Sequence, residues 1–127
     1  MKLTEPEWLI MNVLWKRHPA RARGVFDGLP AGVNWAYTTV KTILDRLSEK
    51  KAIRKSKKGK IAYYEPLLSR RQARKTALSM LLNQAFDGAF GPMMHFLVED
   101  EKLSAKERKE LIQILSRKAS MKGDDND

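Results

Sequence analysis

The residues with the most chemistry to offer lie between Asn34 and Tyr64, and that chemistry is the binding of a polyanion. Between Lys41 and Lys60 stand nine Lys or Arg and only two acids, Asp45 and Glu49. Pairing at i,i+4 cannot neutralise such a surplus, and a merely solvated face ordinarily mixes the signs. At about 100° per residue, Thr38, Lys41, Thr42, Asp45, Arg46 and Glu49 share one side of a helix, with Tyr37 and Thr39 on its shoulders. Threonine hydroxyls donate or accept, and their methyls pack on thymine methyls. Tyr37, Thr38, Thr39, Lys41 and Thr42 are therefore the candidates to meet base edges, with Arg46 directed to a flanking phosphate or base. Lys57, Lys58 and Lys60 surround Gly59 and suit phosphates, which fix register without reading sequence. Any amphipathic helix has a polar face, so periodicity alone implies no more than a solvated surface; the charge excess is what points to a partner.

The elements that must position these groups are legible as patterns. Val40, Ile43, Leu44 and Leu47 recur at i, i+3, i+4 and i+7, which predicts a helix with that stripe buried and Asn34 as its N-cap. Ile53 to Tyr64 reads as two short strands broken at Lys57-Lys58-Gly59-Lys60, where Gly59 supplies positive φ for a tight turn. Upstream, Thr4 and Glu7 form a capping box and Leu3 and Trp8 a hydrophobic staple. They open a first helix that runs to Lys16 or Arg17, with Trp8, Met11, Leu14 and Trp15 as its buried stripe and Pro19 as its stop. A second helix spans Ala20 to Leu29 on Ala22, Val25, Phe26 and Leu29, with Arg21 and Arg23 pointing the other way. Helix, helix, helix, hairpin is the plan of a winged helix-turn-helix, in which the third helix enters the major groove of duplex DNA and the hairpin is the wing.

Charge divides the chain. Residues 1–75 hold 18 Lys or Arg and six acids, a net of +12, whereas residues 76–127 hold seven and nine, a net of −2. Ser69 and Gln72 form a second capping box, opening a helix to about Phe86 with Ala73, Ala77, Met80 and Leu81 on one stripe and Leu78 and Leu82 widening it. Gly88 and Gly91 break the chain, and Pro92 starts a run containing Met93, Met94, Phe96, Leu97 and Val98. A third box, Ser104 with Glu107, opens a helix on which Leu111, Ile112 and Leu115 share a face. Three helices in about 50 residues make a marginal core alone. Met80, Leu81, Phe96, Leu97, Leu111, Ile112 and Leu115 are thus expected to bury their surplus against a second copy, most simply by a two-fold. The expected architecture is mainly α with a small β-hairpin: residues 1–68 a winged-helix DNA-binding domain, 69–118 a helical dimerisation domain, and 119–127 a disordered tail.

Other functions find little support. The chain has no cysteine, which excludes disulfides, thiolate metal sites and cysteine nucleophiles. His18 closes a helix, where its ring can serve the last carbonyls, and His95 sits in an apolar run, where a core position is expected. Neither has metal-ligand spacing, and there is no Gly-rich phosphate loop or G-x-S-x-G, so no enzyme, metal or cofactor is expected. No apolar run approaches 18 residues and no signal peptide follows Met1, so a cytoplasmic protein without membrane insertion is expected. The alternatives are a winged helix used for protein contacts and a non-specific nucleic-acid binder. An RNA reader would stack bases on a sheet, and only Tyr63 and Tyr64, one core and one exposed, are available.

Four segments together carry a resemblance: LTEPEWLIMNVLW, WAYTTVKTILDRLSEKKAI, IAYYEPLLSRRQA and FLVEDEKLSAKERKELIQIL. With Trp8, Trp15, Trp35, Thr39, Val40 and Leu47 in order, residues 3 to 118 resemble the penicillinase-repressor family of transcriptional regulators, the BlaI/MecI type. The resemblance implies a homodimeric repressor on a pseudo-palindromic double-stranded DNA operator. It also implies relief through a membrane sensor protease acting indirectly, by cutting between an Asn and a Phe in the dimerisation domain. The matching pair here is Phe96-Leu97, which departs from that bond. Copper-responsive relatives use cysteine ligands, and this chain has none.

Overall fold

A computed structural model of the chain describes residues 1–99 and 103–125, with the backbone alone at Leu115 and over 118–125. It contains six helices and one two-stranded antiparallel sheet among those residues, in the order α1 (Glu5–Lys16), α2 (Ala22–Asp27), α3 (Tyr37–Glu49), β1 (Ile53–Lys58), β2 (Ile61–Pro66), α4 (Arg70–Phe86), α5 (Phe90–Glu99) and α6 (Ala105–Asp125). Two compact units result, Met1–Ser79 and Met80–Asp127. The first unit reaches beyond the 68/69 boundary expected from sequence, because Ala73 at the start of α4 is buried in its core.

In the first unit, α1 opens with the expected capping box: the Thr4 N–H donates to Glu7 Oε1 at 2.8 Å and the Glu7 N–H to Thr4 Oγ1 at 3.4 Å. Its buried residues are Glu7, Ile10, Met11 and Leu14. The stripe is rotated from the expected one, with Trp8 and Trp15 half-buried at its edge and packed edge-on, centroids 5.8 Å apart. Burying both indoles fully would strand the Trp15 N–H, which instead donates to the Leu68 carbonyl at 2.9 Å.

Helix α2 is shorter than the periodicity implied. The backbone of Ala20 is already committed to Tyr64, its N–H donating to the Tyr64 carbonyl at 2.9 Å and its carbonyl accepting at 2.8 Å. Those groups are unavailable to a helix, which therefore starts two residues later. At its other end Gly28 lets α2 approach α1 closely, since a Cβ there would stand 2.9 Å from Val13 Cγ1.

Helix α3 buries Val40, Ile43, Leu44 and Leu47 as its period requires. Asn34 is not its N-cap. Trp35 is drawn against the core, Ala36 takes the extended conformation of the cap, and no side chain caps the helix. Its end is a left-handed residue, Lys51 at φ 64°, followed by an Ala52 N–H donating to the Leu47 carbonyl at 3.0 Å.

The strands pair from Ile53↔Pro66 to Lys58↔Ile61, leaving Gly59 and Lys60 as the turn. Gly59 has φ 65°. Lys60 is not among the positive-φ residues, the pattern of a type II′ turn. Tyr64 is buried at 3% exposure, while Tyr63 is half-buried rather than exposed.

The Ser69 box that opens α4 in the first unit and the Ser104 box that opens α6 in the second form as expected, each with reciprocal hydrogen bonds of 3.0 to 3.1 Å. The break between α4 and α5 falls at Asp87 (φ 51°) and Gly88 (φ 79°). Gly91 does not break the chain but lies in the first turn of α5. Helix α6 continues to Asp125, so the tail expected from residue 119 to be disordered is helical over 119–125. Ser120, Met121 and Lys122 are compatible with a helix, and Gly123 costs only about 1 kcal/mol relative to alanine. Residues 126 and 127 lie outside the described residues.

Candidate nucleic-acid interface

The side of α3 opposite its stripe is open. Thr38, Thr39, Lys41, Thr42, Asp45, Arg46 and Glu49 are exposed, while Tyr37 is half-buried. The Thr42 hydroxyl donates to the Thr38 carbonyl at 3.0 Å, so its proton is committed within the helix. Thr42 therefore offers outward an acceptor oxygen and a methyl group. Tyr37 packs edge-on against Phe26 with centroids 5.8 Å apart. Arg23 and Lys41 lie over the Tyr37 ring at 5.6 and 5.8 Å, so one ring holds two cations at the entry of α3.

Next to that entry is a cleft of about 340 Å³ between the start of α2, the start of α3 and the wing. Arg21, Arg23, Lys41, Lys55, Lys57 and Lys60 line it, and no acid does. Sequence reasoning placed Lys41, Lys57 and Lys60 at an interface but left out Arg21, Arg23 and Lys55. The bridge between Ala20 and Tyr64 brings Arg21 beside the wing, and no local pattern announces a pairing across that distance. Lys55 precedes the tip, and strand alternation puts it on the same face as Lys57. The same alternation sends Lys58 to the other face, where its Nζ lies 5.9 Å from the Tyr63 ring. Lys58 and Arg46 are thus not among the lining residues.

Tyr64 forms the back of the cleft. Burial, and then the charges of Asp45 and Tyr37, push its hydroxyl above the usual phenol range, so it keeps its proton at neutral pH. Lys55 Nζ lies 6.0 Å from the same ring. The cleft thus has cations at its rim and a neutral aromatic floor, an arrangement that suits a phosphate backbone.

The two histidines take no part. His18 Nδ1 lies 2.8 Å from the Leu14 carbonyl at the end of α1, the terminal role its position implied. His95 is not a core residue: it is exposed on α5 and lies 3.8 Å from Glu99. Among the described residues no group of His, Asp and Glu could hold a metal ion, and no helix is long and apolar enough to cross a membrane.

The second unit leaves apolar surface uncovered. Among its described hydrophobic residues only Leu82 and Met93 are buried. Leu81, Phe96 and Ile112, expected to meet a second copy, are 50%, 43% and 57% exposed. Met80, Leu97 and Leu111 are half-buried. Leu115, expected on the same surface, lies outside the residues whose side chains are described. Phe90, Val98 and Ile114 are exposed as well.

The profile of the penicillinase repressor family matches residues 3–117. The chain belongs to the penicillinase repressor family. Among its relatives in that family, the methicillin resistance regulatory protein MecI of Staphylococcus aureus is 28% identical over 117 residues, 92% of this chain and 95% of that one. The transcriptional regulator BlaI of Mycobacterium tuberculosis is 30% identical over 99 residues, covering 76% of this chain and 72% of its own. Of solved structures, BpsR of Bordetella bronchiseptica superposes with a TM-score of 0.50 at 14% identity, over 93% of this chain and 80% of that one, a likeness of fold. The penicillinase repressor resemblance carried by Trp8, Trp15, Trp35, Thr39, Val40 and Leu47 is therefore borne out.

Proposed function

We propose that this member of the penicillinase repressor family is a sequence-specific transcriptional repressor that binds double-stranded DNA as a homodimer. The observation that carries this reading is the cleft in which six cations and no acid stand beside the exposed face of α3. In this reading Thr38, Thr39, Lys41 and Thr42 meet base edges. Arg21, Arg23, Lys55, Lys57 and Lys60 hold phosphates, Tyr37 aligns Arg23 and Lys41, and Lys58 and Arg46 reach the flanking backbone. Binding DNA places the protein in the cytoplasm.

The second unit supplies the pairing of two copies through Leu81, Phe96 and Ile112, whose exposure of roughly half makes them costly to leave in water. Covering the exposed half of each stabilises by about 1 kcal/mol. A two-fold arrangement sets two copies of α3 on half-sites a whole number of helical turns apart, about 10 to 10.5 bp per turn. Proteolytic relief by a membrane sensor acting indirectly would require α5 to unwind, because Phe96-Leu97 lies inside that helix. Selection of bound sequences from a random duplex pool tests the reading. An inverted repeat is expected; recovery of no common motif would remove the base-reading role.

A further inference from the structure

A second cavity in the first unit is built unlike the DNA cleft. It has a volume of about 490 Å³ and lies between α1, α2 and the start of α4. Leu9, Val13 and Pro30 give it an apolar lining, while Lys16, Arg17, Arg70 and Arg74 supply four cations and no acid lines it. None of the four is in an ion pair among the described residues. The guanidinium of Arg70 lies 5.4 Å from the Trp15 centroid, and its Nε is buried without an acceptor. A buried donor left unmet is unfavourable unless an acceptor visits it, and the neighbouring cations favour an acceptor that carries negative charge.

We infer that this cavity is a binding site for a small organic acid, its carboxylate held by Arg70 and Arg74 and its apolar body against Leu9 and Val13. The class follows from the lining. Phosphate or sulfate alone would leave the apolar part wet, and a neutral apolar molecule would leave the buried Arg70 Nε without an acceptor. The site goes beyond DNA binding but touches the same machinery. Helix α2 with its two cap residues lends Arg21 and Arg23 to the DNA cleft and Gly24 and Gly28 to this cavity. An occupant would therefore press on the helix that carries two of the cleft's cations.

Glycine 24 makes the site testable. A Cβ added there meets nothing within 4 Å, so a larger side chain enters open space rather than the fold.

The full chain is titrated with 2-naphthoate and, separately, with its neutral analogue 2-naphthamide, by calorimetry and by backbone amide shifts. Saturable binding of naphthoate is expected, with shifts at Leu9, Val13, Gly24 and Gly28 and affinity for naphthamide about tenfold lower or worse. Arg70→Gln/Arg74→Gln and, separately, Gly24→Leu are each expected to weaken naphthoate by about tenfold or more. Unchanged circular dichroism shows that each variant is folded. Should one fail to fold, the other and the naphthamide comparison decide. Equal affinity for the two probes overturns the inference, as do shifts confined to the Arg21, Lys55 and Lys57 cleft or unchanged affinity in the folded variants. Duplex binding by the unliganded protein is unaffected by any of these outcomes, so the site can fail while the DNA reading stands.

Discussion

Lys50 Nζ donates to Glu7 Oε1 at 2.7 Å, tying the end of α3 to the first turn of α1 across 43 positions of sequence. The carboxylate is fully buried, and the same oxygen accepts from the Thr4 N–H. The other oxygen has no partner among the described residues. Burial pushes the Glu7 carboxyl up. The Lys50 ammonium and the hydrogen bonds from Thr4 outweigh it and hold the group below its ordinary value of 4.5.

A carboxyl with a depressed folded-state pKa contributes stability that is fully present above about pH 4.5 and is lost as pH falls through the lower value. Glu7→Gln is therefore expected to flatten the acid limb of the stability curve below that pH. Lys50→Met leaves the buried carboxylate unpaired and is expected to cost about 1 to 3 kcal/mol. That is less than for a wholly buried pair, because the Lys50 side chain is 34% exposed. Denaturant melts of the three proteins between pH 3 and 7 measure both effects; identical acid limbs would count against this role for the pair.

Lys51 closes α3 in left-handed backbone, φ 64°, which costs an L-residue roughly 1 to 2 kcal/mol. Lys51→Gly relieves the strain and gives back part of the gain to the entropy of the unfolded chain. A net stabilisation of up to about 1 kcal/mol is expected, read as a higher melting temperature. A lower one would contradict the local geometry.

What could be read from sequence, and what could not, separates by range. The α3 stripe, the Gly59 turn and the three capping boxes are set by residues within a few positions of one another, and each appears as the patterns require. The errors are long-range. Glu7 reads as a surface cap until Lys50 is seen beside it. Arg21 reads as solvated until the Ala20 to Tyr64 bridge brings it to the wing. Asn34 has the chemistry of a cap, but the packing of Trp35 moves the helix start past it. His95 lies in an apolar run, yet α5 turns it outward.

Base reading and phosphate holding predict different losses. Thr39→Ala or Thr42→Ala should shrink the preference for the selected duplex over random DNA, by about 1 to 3 kcal/mol at most. Lys58→Ala and Arg21→Ala should weaken both duplexes alike and reduce the salt slope by about one unit each. Competition titrations at several salt concentrations distinguish the patterns. Equal losses on both duplexes for the threonine variants would argue that α3 does not read bases.

The division into units predicts two truncations. A chain ending at Ser79 should fold as a monomer and bind operator far more weakly than the full chain. One ending at Leu68 should also be less stable, since it loses buried Ala73 and the Ser69 cap. Sedimentation and thermal melts of both report this. A Ser79 truncation that still sediments as a dimer would move the pairing surface into the first unit.

The most direct measurement is the affinity of the full chain for a selected inverted-repeat duplex and for a scrambled one, as a function of salt. The seven cations that meet phosphates in this reading, Arg21, Arg23, Arg46, Lys55, Lys57, Lys58 and Lys60, at about 0.9 counterions each give a slope near −6 per protomer. A steep slope on both duplexes, with the inverted repeat bound at least about a thousandfold more tightly, is the expected result. A shallow slope, or equal affinity for the two duplexes, would contradict the account.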